Sequence, residues 1–476
     1  MHWLMVGGRR RVLGRSWAGG VWSAPASFRF ADLPVRVSAP TFMPQPTTTI
    51  SRPARPTRTN RHRMNRRLVI AAVLLAVPLL VGLGAAVARP DLVGRVIRGV
   101  QWRVQRVLPS RGEQAVASIV PTPLPDSARA RVFHTIVGPY IPAWAAATLG
   151  PVFGRYEREF LSNDERQWAA NGPAWAEMNY YDRAGIYYAW YARTGNLKYL
   201  TRANAIAVDY RTHYLEANNY AIQPHWSMLD GVALHYLVTG DTASRTAVGK
   251  VADLFVGLGY RNNIGVRTAT DNRVQARYLV ALLLADQIRA PSVGLGAPVG
   301  IPGGHDWKAE LRRALPLVLS TQDADGAWRP ACSTTKPVTH PFTTGLLMDA
   351  LARYHDLFEP DPRIPVAIKR AADYLWANDW VPGQKAFRYI GGPCQGEGSP
   401  VPAPDLNNMI VNGYAWTYKQ GRDITYRQRA DEIFAGAVAG AWLSPTKQFN
   451  QVYSSAYRYE AYTRPELQRD SIPRLP

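Results

Sequence analysis

Three aspartates are the residues of this chain whose type and position most directly suggest chemistry. Asp182, Asp230 and Asp271 each lie close to the start of a segment with helical periodicity. Hydrolysis of a glycosidic bond needs two carboxyl groups that flank the bond, and their separation selects retention or inversion. We therefore predict that Asp182 works with Asp230 or Asp271 as a catalytic acid and base, in an order that the sequence leaves open.

Each aspartate also has a structural explanation. An Asp before an apolar helical run commonly caps that helix, which stabilises it by about 1 kcal/mol, and Asp271 fits this role. Asp182 is predicted one turn inside its helix, where it could instead form a salt bridge near Arg183. Asp230 precedes Gly231 and is also placed inside its helix, so a cap is less natural there.

Polar and aromatic side chains collect at the same helix starts. Aromatic faces can stack on pyranose rings, while amides, carboxylates and guanidinium groups bind hydroxyls. The same set of residue types could serve a polysaccharide lyase, which needs a Tyr or His base and an Arg or Asn to neutralise a uronate carboxylate. Residue types alone therefore do not separate hydrolysis from elimination. The residues that we predict to bind substrate are Glu177, Asn179, Tyr180, His225, Trp226, Arg273, His340, Asn407, Tyr457 and Arg458.

These residues stand at the entrances of a series of helical hairpins. The segment Asn179–Gly195 is apolar nearly all round, which is typical of a buried helix, and Leu197–Tyr214 is its amphipathic partner. A sixth inner helix is predicted to begin at Tyr453–Tyr462, with a partner supplied from before Asn179, for example Val152–Asn163. Four further pairs are predicted within residues 227–258, 271–321, 341–378 and 406–443.

Five to six hairpins of this kind resemble an (α/α)6 toroid. The segment 320–328, with Gln322, Asp325-Gly326 and Trp328, is similar to a turn found in several toroid families, including polysaccharide lyases and terpene cyclases. The resemblance covers roughly residues 140–465 and implies an all-α fold whose inner-helix entrances line one funnel. No aspartate-rich terpene-cyclase motif is present, and the exported toroids are largely carbohydrate-active. The resemblance therefore implies a six-hairpin glycosidase-like or polysaccharide lyase-like enzyme, without a specific family.

The N-terminal part of the chain predicts export. Residues 64–88 include an uncharged run, Leu68–Ala88, that could just span a bilayer. It also ends in Ala86-Val87-Ala88, the pattern of a signal-peptidase site behind basic residues. Whether the segment is a cleaved signal peptide or an uncleaved transmembrane anchor stays open. Both alternatives place the toroid outside the cytoplasm, as a periplasmic or extracellular protein or as a membrane-anchored one.

The remaining boundaries follow from composition. Residues 1–63 are rich in Arg, Pro, Ser and Thr without periodicity, and we expect them to be disordered or an over-called extension before a true start at Met64. Residues 89–127 are predicted to be a basic amphipathic helix and a Pro-containing linker, and residues 128–476 the toroid. The two cysteines of the chain, Cys332 and Cys394, both precede inner helices, and in an exported protein we expect them to form a disulfide on the funnel rim.

Composition and motifs exclude several classes of function. Of the net charge of +21, residues 1–88 carry +12, so the rest is only mildly basic and shows no nucleic-acid fold signature. Asp323-Ala324-Asp325-Gly326 is half of a calcium loop without the downstream ligands, so we predict no metal and no cofactor. The predicted partners are a polysaccharide or oligosaccharide, and a membrane if the N-terminal segment is uncleaved. The competing class is a non-catalytic glycan-binding or scaffold protein.

Overall fold

The computed structural model describes residues 120–468 except 176–178, 258–259, 267–270, 295–303, 331–337 and 393–398. The predicted signal or anchor segment, the basic amphipathic helix, Glu177 and both cysteines lie outside the described residues. Within the described part of the chain, no helix combines the length and the hydropathy that crossing a membrane requires.

Helices dominate the described chain, as the sequence predicted. A single two-stranded ribbon accompanies them, in which β1 (Trp380–Val381) pairs antiparallel with β2 (Ala386–Phe387). The helices in chain order are α1 Asp126–Val137, α2 Pro151–Asn171, α3 Arg183–Thr194, α4 Leu197–Tyr210, α5 Leu229–Thr239, α6 Thr242–Gly257, α7 Tyr260–Asn263, α8 Asn272–Gln287, α9 Trp307–Leu319, α10 Pro341–Leu357, α11 Arg363–Asn378, α12 Val411–Gly421, α13 Ile424–Ala439, α14 Thr446–Tyr453 and α15 Tyr457–Thr463.

The longer helices pair as the hairpin pattern predicted. Inner helices α3, α5, α8, α10 and α12 pack against outer partners α4, α6, α9, α11 and α13, and each inner helix also contacts the next, through to α15. Helix α3 is buried over nearly its whole surface, whereas the outer helices bury one face. Gly195 and Gly240 end α3 and α5 in the left-handed conformation, with φ of 71° and 76°, which glycine adopts without steric cost.

Helix α2 closes the series of hairpins. It packs against α13, and Phe160 on its inner face stacks on Trp190 of α3 with ring centroids 3.6 Å apart. The Tyr453 hydroxyl donates to the Tyr156 carbonyl of α2 at 3.2 Å, and the assignment of a segment such as Val152–Asn163 as the partner of the last inner helix stays a prediction. The predicted start of that helix at Tyr453 is wrong, because Ser454 and Ser455 separate α14 from α15, so the last inner helix is Tyr457–Thr463.

Helix α3 begins later than the sequence predicted. Tyr181 and Asp182 adopt left-handed backbone conformations, with φ of 69° and 57°, so the helix starts at Arg183 instead of Asn179. Such conformations cost non-glycine residues about 1–3 kcal/mol each, and no glycine or proline marks the break in the sequence. The side chain of Asp182 offsets this cost by accepting two backbone hydrogen bonds.

The segment before residue 128 belongs to the folded unit. Leu124 is buried, and its backbone N–H donates to the Tyr236 hydroxyl at 3.1 Å. At the other end of α1, the carbonyl of Val137 accepts the Tyr457 hydroxyl at 3.0 Å. Helix α1 thus runs from the C-terminal end of α5 to the start of α15, and the predicted linker at residues 121–125 packs with it.

The turn at residues 320–328 is held by its own side chains. The Gln322 amide donates to the carbonyls of Gly326 and Ala367 at 2.9 and 2.8 Å. Arg329 forms salt bridges with both Asp323 and Asp325 at 2.6 and 2.5 Å. The two carboxylates of the half calcium loop are therefore engaged by a guanidinium group.

Candidate active site

A cavity of about 70 Å³ lies among the inner helices and brings two of the three predicted catalytic aspartates together. Such a volume holds a few water molecules, which is less than a pyranose ring requires. Its lining includes three carboxyl groups and three guanidinium groups, those of Asp182, Asp230, Asp349, Arg277, Arg353 and Arg458.

Asp182 caps α3 and is only 7% exposed. Its Oδ1 accepts the backbone N–H of Gly185, and its Oδ2 accepts that of Gly231 on α5, both at 2.9 Å. Burial, followed by the neighbouring charge of Asp230, raises the pKa of Asp182 to about 6. The predicted salt bridge near Arg183 is absent from the described structure, because Arg183 turns away and donates to the Gly172 carbonyl.

Asp230 is the second residue of α5 and has the opposite electrostatic environment. Its two carboxylate oxygens accept hydrogen bonds from the two terminal nitrogens of Arg353, at 2.5 and 3.2 Å. Burial alone would raise the pKa of Asp230, but the charge and hydrogen bonds of Arg353 outweigh it and lower the pKa below its ordinary value. Neighbouring carboxyl groups whose pKa values are pushed apart are typical of an acid and a base.

Two glycines allow the two carboxyl groups to approach. A Cβ on Gly185 would meet Asp182 Cγ at 3.3 Å and Asp230 Cβ at 3.6 Å, so Gly185 lies between the two aspartates. A Cβ on Gly231 would lie 2.6 Å from Asp182 Oδ1 and 2.4 Å from the Ala184 Cβ. Any side chain at either position would therefore press on the Asp182 carboxyl group.

The other end of the cavity is built around Arg458. Its guanidinium donates to Asp349 Oδ2 at 3.4 Å, while Asp349 Oδ1 accepts the Asn412 amide at 3.0 Å. Arg458 and Tyr457 were predicted to bind substrate, and both line the cavity. Tyr457 donates its hydroxyl proton to the backbone of α1, so it also fixes one wall.

Asp271 does not line the cavity. It caps α8 by accepting the backbone N–H of Val274 at 2.8 Å, and its other oxygen binds Arg273 at 3.2 Å. Arg273 also donates to the Tyr180 hydroxyl at 3.2 Å, and the Tyr180 ring meets Trp226 edge to face at 4.8 Å. We call this second group of predicted residues, Tyr180, Trp226, Asp271 and Arg273, the entrance cluster.

Two histidines accompany the entrance cluster. Burial, with the charge of Arg273, lowers the pKa of His225 to about 4. The same two causes lower the pKa of the buried His340, although Asp271 opposes them, and its Nε2 has no hydrogen-bond partner in the described structure. Both histidines are therefore neutral at neutral pH, which suits a hydrogen-bonding role better than that of a cation.

Two predicted substrate-binding asparagines are buried in the protein. Asn407 is fully buried and satisfies three backbone groups in two segments, donating to Lys385 and Ile433 and accepting from Phe387. This bonding gives the residue a structural role, and its predicted role in sugar binding stays a prediction. Asn179 is 2% exposed, and its side-chain oxygen has no partner within the described chain.

Several cavity residues were missed by the sequence reasoning. Arg277, Asp349 and Arg353 lie well inside inner helices, whereas the predicted site residues lie at helix starts. Charged residues within otherwise buried helices are costly without partners, and that was the signal available in the sequence. Among the described residues, no group of His, Cys, Asp or Glu is arranged to hold a metal ion.

The chain was compared with known proteins. No family model matches it, and no curated protein matches it. Five solved chains match, and those identified are unsaturated glucuronyl hydrolases.

The similarity to these structures is low. The enzyme from Bacillus sp. GL1, described as responsible for the degradation of glycosaminoglycan, is 11% identical with a TM-score of 0.44, over 62% of this chain and 87% of that one. A heparin-specific enzyme is 11% identical, with a TM-score of 0.46, and the match covers 62% of this chain and 88% of that one. The Streptococcus agalactiae enzyme is 10% identical, with a TM-score of 0.43, and the match covers 72% of this chain and 93% of that one. At these TM-scores the likeness carries no further argument, and the account of the fold rests on the helix packing itself.

Proposed function

We propose that the protein is a glycoside hydrolase in which Asp182 is the general acid and Asp230 the general base. The observation that carries this assignment is the contrast between two carboxyl groups lining one cavity. Burial and a neighbouring carboxylate raise the pKa of Asp182 to about 6, whereas Arg353 lowers that of Asp230. An acid that keeps its proton beside a carboxylate that has lost one is the arrangement that glycoside hydrolysis uses.

The proposed reaction balances with these two groups and water. Asp182 donates its proton to the glycosidic oxygen as the bond from the anomeric carbon to that oxygen breaks. A water molecule attacks the anomeric carbon and gives a proton to Asp230, which forms a hemiacetal and a free hydroxyl on the leaving sugar. Asp182 is then ionised and Asp230 protonated, and exchange with solvent restores the starting state. Because water attacks directly, without a covalent intermediate, this scheme predicts inversion at the anomeric carbon.

The entrance cluster is the proposed path of the glycan to the cavity. The cavity accommodates water more readily than a sugar ring, so the ring must lie at the entrance or widen the cavity as it binds. The half-buried Trp226 offers apolar surface for a pyranose face, while Tyr180 is buried against it. Arg273 and Asp271 offer charged groups for its hydroxyls, although they also bind each other.

Elimination from a uronate glycan is the alternative that the entrance cluster favours. Arg273 donates to the Tyr180 hydroxyl at 3.2 Å, and a guanidinium beside a phenol could help the phenol to act as a base. Burial raises the pKa of Tyr181 far above its ordinary range, so the neighbouring tyrosine is unsuited to that role. A non-catalytic glycan-binding protein would use the same surface without turnover.

One experiment separates these functions. The full-length protein is incubated with neutral and uronate-containing polysaccharides, while reducing ends and the ultraviolet absorbance of unsaturated uronates are followed together. Hydrolysis predicts new reducing ends without new absorbance. It also predicts that Asp182→Asn and Asp230→Asn form no new reducing ends. Both signals together would replace the hydrolase with a lyase. Glycan binding without either signal would support the binding protein.

We also propose that the protein acts outside the cytoplasm. The support is the sequence itself, since the uncharged run Leu68–Ala88 follows Arg66 and Arg67, and basic residues stay on the cytoplasmic side of such segments. A reporter fused after residue 476 that is active only in the periplasm or outside the cell would test this. A second reporter, active only in the cytoplasm and fused at the same position, would refute the proposal if it showed activity.

A further inference from the structure

Arg277 differs from the other two guanidinium groups of the cavity. Arg353 is paired with Asp230 and Arg458 with Asp349. Among the described residues Arg277 makes neither a hydrogen bond nor an ion pair, and its Nε is buried without a partner. The cavity therefore contains a cation that no protein group neutralises directly.

None of the three carboxyl groups of the cavity is hydrogen-bonded to Arg277 in the described structure. Asp230 and Asp349 bind Arg353 and Arg458, and the two oxygens of Asp182 accept the backbone N–H groups of Gly185 and Gly231. Leaving a guanidinium unpaired in a largely buried site costs free energy, and such an exception asks for an explanation. An acceptor that arrives with a ligand would provide one.

The position of Arg277 connects the entrance with the two catalytic carboxyl groups. It lies four residues after Arg273 on α8, and residues at this spacing share one helix face. The charge of Arg277 contributes to the lowered pKa of His225 at the entrance. The same charge opposes the rise in the pKa of Asp182 and adds to the decrease in the pKa of Asp230. A group bound by Arg277 would therefore lie beside the bond that the two aspartates act on.

We propose that Arg277 binds an anionic group of the substrate, either a carboxylate or a sulfate ester on the sugar next to the scissile bond. The proposal rests on the proposed function, because it assigns a substrate class to the same cavity. Guanidinium groups bind the paired oxygens of such anions with two parallel hydrogen bonds. While Asp182 holds its proton, the cavity has three guanidinium groups and two carboxylates, a balance that favours an anion.

Binding to the full-length protein tests the proposal separately from turnover. Isothermal titration is performed with a methyl glucoside, the corresponding methyl glucuronide and the 6-sulfated glucoside. We expect one of the two anionic sugars to bind about 10- to 100-fold more tightly than the neutral one, as charge-assisted hydrogen bonds predict. The preferred anion identifies the group, and raised salt should reduce the difference.

Substitutions then assign the preference to Arg277. Arg277→Met should remove the preference for the anionic sugar, and Arg277→Lys should retain part of it. Arg312→Met is the matched control, since Arg312 is an exposed residue outside the cavity that forms an ion pair with Glu359 and lies over the Phe358 ring, and it should bind like the unaltered protein. The melting temperature of each variant shows whether it is folded, and Arg277→Lys keeps the test valid if Arg277→Met is not.

Two outcomes would overturn the inference. One is equal binding of anionic and neutral sugars by the unaltered protein, and the other is an anion preference that survives in Arg277→Met. Neither depends on catalysis. An anion preference that requires Arg277, in a protein that hydrolyses no glycoside, would retain this inference and reject the proposed function.

Discussion

Asp182 joins two neighbouring inner helices through one carboxyl group. It accepts the backbone N–H of Gly185 in α3 and that of Gly231 in α5, each at 2.9 Å. The amino-terminal ends of helices carry partial positive charge, so this contact favours the carboxylate, whereas burial and Asp230 favour the acid. The pKa of about 6 is the balance of these effects and leaves the group able to donate or accept a proton.

Gly185→Ala should separate the effect on catalysis from the effect on stability. Alanine favours a helix by about 1 kcal/mol relative to glycine, but the new methyl group would press against Asp182 and Asp230. We expect kcat to fall at least about tenfold, because a small misplacement of reacting groups slows catalysis strongly. Steady-state kinetics and thermal unfolding measure the two effects.

Gly154→Ala provides the control for that substitution. It also adds a methyl group inside a helix, and that methyl would meet only the end of the Arg158 side chain, at 3.2 Å. This variant should keep normal kcat. If Gly185→Ala also retained normal kcat, the close packing around the two aspartates would have no catalytic importance.

The sequence was informative where periodicity specifies packing. The hairpins from α3 to α13 follow from alternating buried and amphipathic helices, and Asp182 and Asp230 were found because helix starts were searched. The start of α3 could not be predicted, because the left-handed Asp182 depends on a backbone N–H group 49 residues away in Gly231. Arg353 was missed for the same reason, since its partner Asp230 lies 123 residues earlier.

Removal of each candidate carboxylate should rank the three aspartates. Asp182→Asn and Asp230→Asn should lower kcat by about 100- to 10,000-fold, the usual contribution of general acid–base catalysis. Asp271→Asn should reduce kcat far less, because Asp271 acts as a helix cap outside the cavity and Asn also caps helices well. Equal losses in all three variants would show that the entrance also takes part in the chemistry.

The pH dependence of kcat/KM should reflect the two opposite pKa shifts. Activity should fall as the pH rises through about 6, since Asp182 then loses the proton that it must donate. Activity should also fall at acidic pH, below the ordinary Asp value, as Asp230 becomes protonated. An activity that is flat between pH 5 and 8 would contradict the assignment of Asp182 as the acid.

Arg353→Lys should move the acidic limb of that profile and leave the alkaline limb in place. Lysine keeps the positive charge but cannot reproduce the two hydrogen bonds to the Asp230 oxygens. The pKa of Asp230 should therefore rise, and the acidic limb should shift to higher pH. A purely structural role for Arg353 would lower activity equally at every pH, so the shape of the profile distinguishes the two roles.

Phe160→Ala should destabilise the closure of the helical ring. Phe160 is fully buried and stacks on Trp190 with the rings only 5° from parallel, and truncating such a core phenylalanine costs about 3–5 kcal/mol. Leu161→Ala is the neighbouring control, since Leu161 is 52% exposed and surface changes stay within about 0.5 kcal/mol. Urea unfolding of both variants measures the difference, and similar free energies of unfolding would show that α2 contributes little to closure.

The predicted bond between Cys332 and Cys394 can be argued from the residues that flank them. Both cysteines lie outside the described residues, but the Gly391 N–H donates to the Thr339 carbonyl at 2.8 Å. A Cβ on Gly392 would lie 3.1 Å from the Val338 side chain. Val338 and Thr339 are therefore neighbours of Gly391 and Gly392, while the disulfide itself stays a prediction.

Thiol titration of the protein purified without reductant, under denaturing conditions, should find no free thiol. Peptide mapping should recover Cys332 linked to Cys394. Closing a loop of this length stabilises a protein by roughly 4 kcal/mol in the chain-entropy description, so Cys332→Ser and Cys394→Ser should each lower the melting temperature, and the double variant should lower it no further. Two free thiols in the unreduced protein would refute the bond, and additive effects of the two substitutions would point to separate roles for the cysteines.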